Sequence, residues 1–267
     1  MTDRVLLDVR NDVAYVTLNR AEKYNGLDLP MLHGLIDVAG RIAPDPSIRA
    51  VILSGNGNAF CAGLDFAAVA EAGPRAMFKA GLKLPGRKTN VFQRACWVWR
   101  ELPVPVIAAL HGHCFGGGMQ LALAADFRFA TPDCELSIME GKWGLIPDMT
   151  GSVTLRELVP MDVAKRLTMT AEIFDGRQAQ AYGLVTGVAD EPLKEAEALA
   201  GQLIVRSPDA LAFTKRLLHR TWTQSPRWAF WTETVLQARL MRGANHRIAR
   251  TANLAKDVPN YVSRRVR

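Results

Sequence analysis

The chain has 267 residues, 49% of them hydrophobic and 22% charged, which is the composition of a globular protein with a large buried core. No apolar run approaches the roughly 20 residues that a membrane-spanning helix needs, so we expect no membrane partner. The first residues lack the apolar core and the small-residue cleavage site of a signal peptide, and we expect none.

Charge and cysteine usage narrow the functional classes further. The net charge of +7 could attract nucleic acids or small anions such as phosphates. The basic residues are scattered, apart from the tail "SRRVR", and no zinc-finger spacing accompanies them. We therefore favour small anions and expect no nucleic-acid partner. The four cysteines form no CxxC pair and are typical of buried thiols in a reducing compartment, which predicts a cytoplasmic location.

The beginning of the chain predicts a crossover between strands. "RVLLDVR" and "VAYVTLNR" are interpreted as short strands joined by the turn residues Asn11 and Asp12. The apolar spacing of "MLHGLIDVAGRIAPD" predicts a helix, and "RAVILSG" predicts a buried strand. Strand, helix and strand at this spacing indicate a partly parallel sheet in an α/β fold.

The middle of the chain continues this alternation after an irregular segment. Glycines and prolines interrupt residues 66–88, which we interpret as a mobile loop with some helix. Asn90 is predicted to cap a helix over "VFQRACWVWREL", which two prolines then stop. Further strands are predicted at "VIAALHG", "DFRFA" and "ELSIM".

From about Val188 onwards the pattern becomes helical. Three segments with helical apolar spacing are "LKEAEALAGQLIV", "DALAFTKRLLHRT" and "RWAFWTETVLQARLM". A helical region this rich in large apolar residues needs a surface to cover, either on its own body or on other subunits. We therefore divide the chain into a core at 1–190 and a C-terminal helical region at 191–267.

Two turns of small residues are candidates for binding a developing negative charge. "CFGGGMQLALAAD" has Gly116, Gly117 and Gly118 between a strand and a helix, where a ligand can approach the backbone closely. "GNAFCAGLDF" contains a second such turn. Three glycines alone fit a tightly packed turn almost as well. Two turns that each aim one N–H group are what an oxyanion hole requires.

Two acids lie in a largely apolar segment broken by glycines. Glu140 and Asp148 belong to "SIMEGKWGLIPDMTGS". Each could be a capping acid or an exposed loop acid. We favour a functional role, because burial would raise the pKa of a carboxyl group towards useful values. His111 and His113 could suggest a metal, but two ligands do not make a zinc site, and we expect no metal.

These stretches, together with "LNRAEKYNGLD", resemble the crotonase superfamily, also called the enoyl-CoA hydratase/isomerase family. The resemblance covers most of the chain, although Ala21 stands where proline is usual and Gly26 where alanine is usual. It implies an α/β, crotonase-like spiral of β-β-α units, followed by a C-terminal helical region that builds trimers or dimers of trimers. Candidate subunit contacts in that region are Trp228, Trp231 and Leu240.

The resemblance also implies an acyl-CoA thioester substrate, with coenzyme A as part of the substrate and no separate cofactor. By position, the oxyanion N–H groups are those of Leu64 and Gly117. The carbonyl of Ala62 is expected near the CoA adenine, and basic residues in the first motif are expected near the CoA phosphates. For Lys23 a solvated turn is an equal alternative. The residues implied to contact CoA are Ala62, Gly63, Gly116, Lys23 and Arg20.

The acids distinguish the reactions of this family. Hydratases use two glutamates to hold and activate water; Glu140 matches one, whereas Gln120 stands at the position of the other. A glutamine can orient water but cannot take a proton near neutral pH. Asp148 matches the catalytic aspartate of dienoyl-CoA isomerases, which carry a glutamate where Glu140 stands. The 4-chlorobenzoyl-CoA dehalogenases also have a nucleophilic aspartate there, but lack the glutamate.

We therefore predict an enzyme that stabilises an acyl-CoA enolate, with double-bond isomerisation favoured over hydration. One alternative is an enoyl-CoA hydratase that uses Glu140 alone. An alternative of another class is a non-catalytic CoA-binding or nucleic-acid-binding protein with the same fold. Two exposed carboxylates far from Gly117 would favour the binding protein, and apolar surroundings favour the enzyme.

Overall fold

The computed structural model describes residues 3–266, within which the chain forms eight strands and eleven α-helices. The strands are β1 (Val5–Arg10), β2 (Val13–Leu18), β3 (Ala50–Gly55), β4 (Val106–Leu110), β5 (His113–Phe115), β6 (Phe127–Ala130), β7 (Glu135–Ser137) and β8 (Gly187–Val188). The helices are α1 (Leu29–Ile42), α2 (Phe66–Gly81), α3 (Val91–Glu101), α4 (Gly117–Leu123), α5 (Gly151–Leu158), α6 (Met161–Thr170), α7 (Gly176–Tyr182), α8 (Pro192–Ile204), α9 (Pro208–Thr221), α10 (Pro226–Met241) and α11 (Ala244–Ala255).

Six strands form the main sheet in the order β1-β2-β3-β4-β6-β8. β1 and β2 are antiparallel, and the other neighbouring strands are parallel. Asn11 and Asp12 have φ angles of 51° and 63°, the left-handed conformations of a two-residue type I′ turn. The predicted hairpin, the predicted α1 crossover and the partly parallel sheet are confirmed.

Helices cover both faces of this sheet, which explains the nearly continuous apolar character of its central strands. Side chains alternate along a strand, so Val51 and Leu53 of β3 join a core on the side of α1 and α3. Ala50 and Ile52 face the opposite side, where they pack in a second core with Ala196 of α8. The first helix of the predicted C-terminal region therefore packs on the sheet itself.

A second, smaller layer runs beside the main sheet. β5 pairs in parallel with β7, and parallel bridges join Cys61 to Cys114 and Leu27 to Leu64. After each of β2, β3 and β4, the chain adds one short segment to this layer and then forms a helix. This repetition is the β-β-α spiral that the resemblance implied, and it confirms the predicted fold class.

Two parts of the chain differ from the sequence-based expectation. Residues 66–88 contain a longer helix than predicted: α2 runs from Phe66 to Gly81. The helix is interrupted at Gly73, whose φ is 78°. The short helices α5, α6 and α7 were not predicted. No helix among residues 3–266 is long and apolar enough to cross a membrane.

A buried lysine attaches α9 to the core. The ammonium group of Lys215 donates to the carbonyls of Trp99 and Val104, both at 2.9 Å, and lies 2.7 Å from the carboxylate of Asp126. Asp126 also accepts the N–H of Val106 at the start of β4. Burial lowers the pKa of the adjacent His219 to about 4, and the charge of Arg100 contributes.

The division of the chain at residue 190 stays a prediction.

We expect Lys215→Met to lower the free energy of unfolding by about 3 kcal/mol, because it leaves a buried carboxylate and two carbonyls without their cation. The matched control is Lys194→Met, which breaks an exposed ion pair with Glu191. That control should cost less than about 1 kcal/mol. Urea denaturation followed by circular dichroism measures both, and equal losses would contradict the structural role of Lys215.

Candidate active site

Two glycine turns of the second layer lie against each other. Gly63 has a φ of 90°, and Gly116, which precedes α4, has a φ of 50°. A Cβ atom on Gly63 would lie 2.8 Å from the carbonyl oxygen of Phe115 and 3.6 Å from the nitrogen of Gly117. Only glycine at position 63 satisfies both the left-handed backbone and this close approach. The two turns identified from the sequence are therefore direct neighbours.

The N–H groups of Leu64 and Gly117 are available to a ligand. Leu27 donates its N–H to the carbonyl of Gly63 and accepts the N–H of Asp65. The N–H of Leu64, between these two residues, therefore has no acceptor among residues 3–266. Gly117 is the first residue of α4, where a helix provides no acceptor for the N–H group. Both residues line one cavity of about 140 Å³.

Glu140 provides a buried carboxyl group in the wall of the same cavity. It belongs to a short 3₁₀ helix, Met139–Trp143, and is 8% exposed. A Cβ atom on Gly116 would lie 3.5 Å from its Oε1 atom, so the carboxyl group is close to the second glycine turn. Its Oε2 atom has no hydrogen-bond partner within the described chain. Burial raises the pKa of Glu140 above its usual value, and the nearby charge of Asp148 adds to this effect.

Asp148 is the second carboxyl group of this cavity. Its side chain is exposed, unlike that of Glu140. Partial removal of water around the group nevertheless raises the pKa of Asp148. The structure thus brings together the two acids singled out from the sequence, one buried and one open to solvent. A carboxyl pair with raised pKa values is suited to proton transfer near neutral pH.

Gln120 bonds to Glu140 and to the backbone just after Asp148, but it does not line the cavity. Its Oε1 atom accepts the N–H groups of Met149 and Gly151, both at 2.8 Å, which fixes the orientation of the amide. Its Nε2 atom donates to Oε1 of Glu140 at 2.6 Å. The side chain is 1% exposed. Gln120 is therefore a positioning residue that links Glu140 to the loop after Asp148.

The residues implied to contact CoA occupy different environments. Ala62 lines the cavity beside Leu64. Lys23 is exposed at the end of a short 3₁₀ helix. Arg20 is only 7% exposed, and its Nη1 atom lies 2.7 Å from Asp65 and donates to the carbonyl of Gly26. Its guanidinium supports the turn at the start of α2, and the structure does not bring it to the surface. Contact of these residues with CoA stays a prediction.

Two groups of residues near the site were not predicted from the sequence. Asn25 is fully buried and joins the first motif to the turn after β3, since its side chain accepts the N–H of Arg20 and donates to the carbonyl of Ala59. The other group is aromatic. The rings of Phe66 and Trp143 lie 4.6 Å apart in the cavity wall. Phe66 could have been found, because it is the last residue of the motif that contains Leu64.

Comparison with known proteins agrees with this geometry. Residues 8–264 match the family model described as enoyl-CoA hydratase/isomerase, and the chain belongs to that family. Two relatives are 33% identical: an (E)-benzylidenesuccinyl-CoA hydratase of Thauera aromatica, over 70% of each chain, and a carnitinyl-CoA dehydratase of Proteus mirabilis, over 83% of this chain and 82% of the relative. The crystal structure of an enoyl-CoA hydratase from Bacillus anthracis superposes with a TM-score of 0.89 at 27% identity, covering 97% of this chain and 98% of that one.

The chain is thus an enzyme of the crotonase type, a hydratase or isomerase. The non-catalytic binding protein considered from the sequence finds no support among these relatives. A binding protein was expected to have two exposed carboxylates far from Gly117. Glu140 does not fit this expectation, because it is buried beside Gly116.

We expect Gly117→Ala to lower kcat about 100- to 1,000-fold, the usual effect of losing one oxyanion donor. The added methyl group would lie 2.9 Å from both Leu27 Cδ1 and Met149 Sδ, so the backbone N–H must shift or these side chains must move. Gly201→Ala is the matched control, because nothing lies within 4 Å of its added carbon. Initial rates on 2-enoyl-CoA and 3-enoyl-CoA, with thermal melting as the test of folding, measure both variants. Wild-type turnover in Gly117→Ala would contradict the assignment.

Proposed function

We propose that this enzyme moves a carbon–carbon double bond along the acyl chain of an acyl-CoA thioester. The observation that carries this proposal is the bonding of Gln120. Its Oε1 atom is occupied by two backbone N–H groups, and its Nε2 atom by Glu140. As an amide, the side chain cannot take a proton near neutral pH, and its buried position keeps it out of the cavity where the second glutamate of a two-glutamate hydratase would activate water.

The first step is the formation of an enolate. The thioester oxygen accepts hydrogen bonds from the N–H groups of Leu64 and Gly117 and becomes negatively charged when a proton leaves the acyl chain. Gly117 begins α4, so the positive end of the helix dipole favours the same charge. The enolate spreads its charge along the conjugated chain, which allows a proton to return at a different carbon.

Proton transfer between two carbons uses the pair Glu140 and Asp148. One carboxyl group accepts a proton from one carbon, while the other donates a proton to the second carbon. The pair carries one proton before the reaction and one proton after it, but the proton is then on the other carboxyl group. Raised pKa values favour such a half-protonated pair nearer neutral pH. Because Asp148 is exposed, exchange with water resets the pair after each turnover.

Hydration by Glu140 alone is the second candidate. It is supported by the unpartnered Oε2 atom of Glu140, which could activate a water molecule. The names of the relatives, hydratases and dehydratases, also favour it. In that reaction Asp148 has no proton to transfer, so its removal should have little effect on the rate.

We expect Asp148→Asn to lower isomerisation of 3-enoyl-CoA at least about 100-fold, because an amide cannot serve as acid or base. The exposed Asp133→Asn is the matched control and should retain wild-type rates. Gln120→Glu should raise any hydration of 2-enoyl-CoA, since it supplies a second ionisable group beside Glu140. Ultraviolet absorbance and product mass measure both reactions.

The rate of isomerisation in the wild type should also fall on both sides of a pH optimum, because the reaction needs one protonated and one ionised carboxyl group. If Asp148→Asn leaves turnover unchanged and the wild type hydrates 2-enoyl-CoA rapidly, the isomerase proposal is wrong and the hydratase that uses Glu140 alone is correct.

We also propose that the enzyme forms a trimer or a dimer of trimers in the cytoplasm. Trp228 and Trp231 of α10 are each 61% exposed in the single chain, and Leu240 is half-buried on the same helix. Contact with a second subunit would remove this apolar surface from water. All four cysteines are free and buried, which suits a reducing compartment. Light scattering at micromolar concentration should give three or six times the chain mass, and a monomer would contradict the assembly.

A further inference from the structure

We infer that the acyl group of the substrate carries an aromatic ring, which packs against the exposed surfaces of Phe66 and Trp143 at the mouth of the cavity. This inference rests on the proposed function, since it takes the cavity of Leu64 and Gly117 as the acyl-CoA site. It goes beyond that function because it assigns a chemical class to the part of the acyl group that lies farthest from the thioester.

Two aromatic side chains remain exposed on rigid supports at this cavity. Phe66 is 39% exposed and Trp143 is 55% exposed, although their rings contact each other at 4.6 Å with an angle of 43° between planes. Phe66 is the first residue of α2, whose N-cap Asp65 accepts the N–H of Ala68 and pairs with Arg20. Trp143 ends a 3₁₀ helix that Gly144 closes in a left-handed conformation.

The fold does not account for the exposure of these rings. Neither belongs to the hydrophobic cores of the main sheet. Leu145, beside Trp143, is also half-exposed and lines the same cavity. Large apolar groups that are held in place but left open to water at the mouth of a cavity mark a ligand surface.

The cavity surrounds the reacting end of the acyl group and opens towards the two rings. Its volume is about 140 Å³, close to that of an engineered apolar protein cavity that holds one benzene molecule. The thioester and the reacting carbons occupy this space beside Leu64 and Gly117, so the outer part of the acyl group lies at the mouth, against Phe66 and Trp143. The other apolar side chains in the wall are Phe115, Met139 and Met149, and sulfur–aromatic contacts with methionine are favourable.

The tilted pair favours an aromatic ring over an aliphatic group of the same size. Aromatic rings prefer offset-stacked or edge-to-face contacts, because their faces are negative and their edges positive. Two rings in contact at 43° present an exposed face and an exposed edge to a third ring that packs against the pair. Each such contact contributes beyond the buried area, and together they should favour phenyl over cyclohexyl by about 10-fold.

The test compares kcat/KM for matched acyl-CoA substrates with the full-length enzyme. 5-Phenylpent-3-enoyl-CoA and 5-cyclohexylpent-3-enoyl-CoA differ in the aromatic character of the ring but not in the conjugation of the reacting double bond, because a CH2 group separates ring and double bond in both; straight-chain hex-3-enoyl-CoA and dodec-3-enoyl-CoA test chain length. The corresponding 2-enoyl-CoA series is measured in parallel, so that a hydratase is assayed equally well. A but-2-enoyl-CoA with a terminal trimethylammonium group tests whether a cation occupies the aromatic pair instead. We expect the phenyl substrate to give the highest kcat/KM, about 10-fold above its cyclohexyl analogue.

The variants Phe66→Leu and Trp143→Leu should each reduce the phenyl-to-cyclohexyl ratio of kcat/KM to about 1 to 3. Phe78→Leu is the matched control, because Phe78 is on the same helix, is 71% exposed and lies outside the cavity. The ratio should be unchanged in this variant.

The outcomes separate the inference from the proposed function. Preference of the wild type for the cyclohexyl, dodecenoyl or cationic substrate overturns the aromatic inference while the enzyme remains an acyl-CoA isomerase or hydratase. An unchanged phenyl-to-cyclohexyl ratio in both leucine variants also overturns it. Failure to turn over every acyl-CoA in the panel contradicts the proposed function, and the inference fails with it.

Discussion

The buried amide of Gln120 binds three groups, one on the short 3₁₀ helix of Glu140 and two on the turn after Asp148. It accepts the N–H groups of Met149 and Gly151 and donates to Glu140. Because the amide is almost completely buried, breaking any of these bonds leaves a polar group without a partner or water. The separation of Glu140 from the loop that carries Asp148 is therefore set by one side chain outside the cavity wall. The choice of glutamine at this position determines both the geometry and the number of ionisable groups.

The spiral explains why these groups meet. Each β-β-α unit adds one short segment to the second layer before its helix begins, so helix starts from successive units are neighbours. Leu64 lies just before α2, and Gly117 begins α4. The first N–H groups of a helix have no acceptor within it, which leaves the N–H of Gly117 free. The N–H of Leu64, which precedes the N-cap Asp65, is left free by the bridge to Leu27. Stacked units therefore bring unpaired N–H groups together without a specialised loop, and Glu140 follows from the next unit after β7.

The sequence predicted the elements whose signals are local. Asn11 and Asp12 suit a tight hairpin, and Asn90 caps α3 as predicted, where it also forms a capping box with Gln93. The two glycine turns were predicted because close backbone approach restricts the residue type. The role of Gln120 depends on backbone groups about 30 residues away, and the Phe66–Trp143 contact depends on the packing of two units. Such long-range contacts leave no periodic pattern, and the short α5, α6 and α7 were missed because each provides too few turns to establish one.

The interruption of α2 at Gly73 has a consequence for local stability. The helix consists of two rods: the first starts at Phe66 and is fixed by the Asp65 cap and Arg20, whereas the second follows Gly73 and Pro74. Ala80 is the only described residue of α2 that is buried, so this helix gains little from the core. Segments with few buried contacts open at a small free-energy cost. Because Gly73 breaks the helical conformation, we expect the two rods to open separately, and the Asp65 cap supports the rod that carries Phe66.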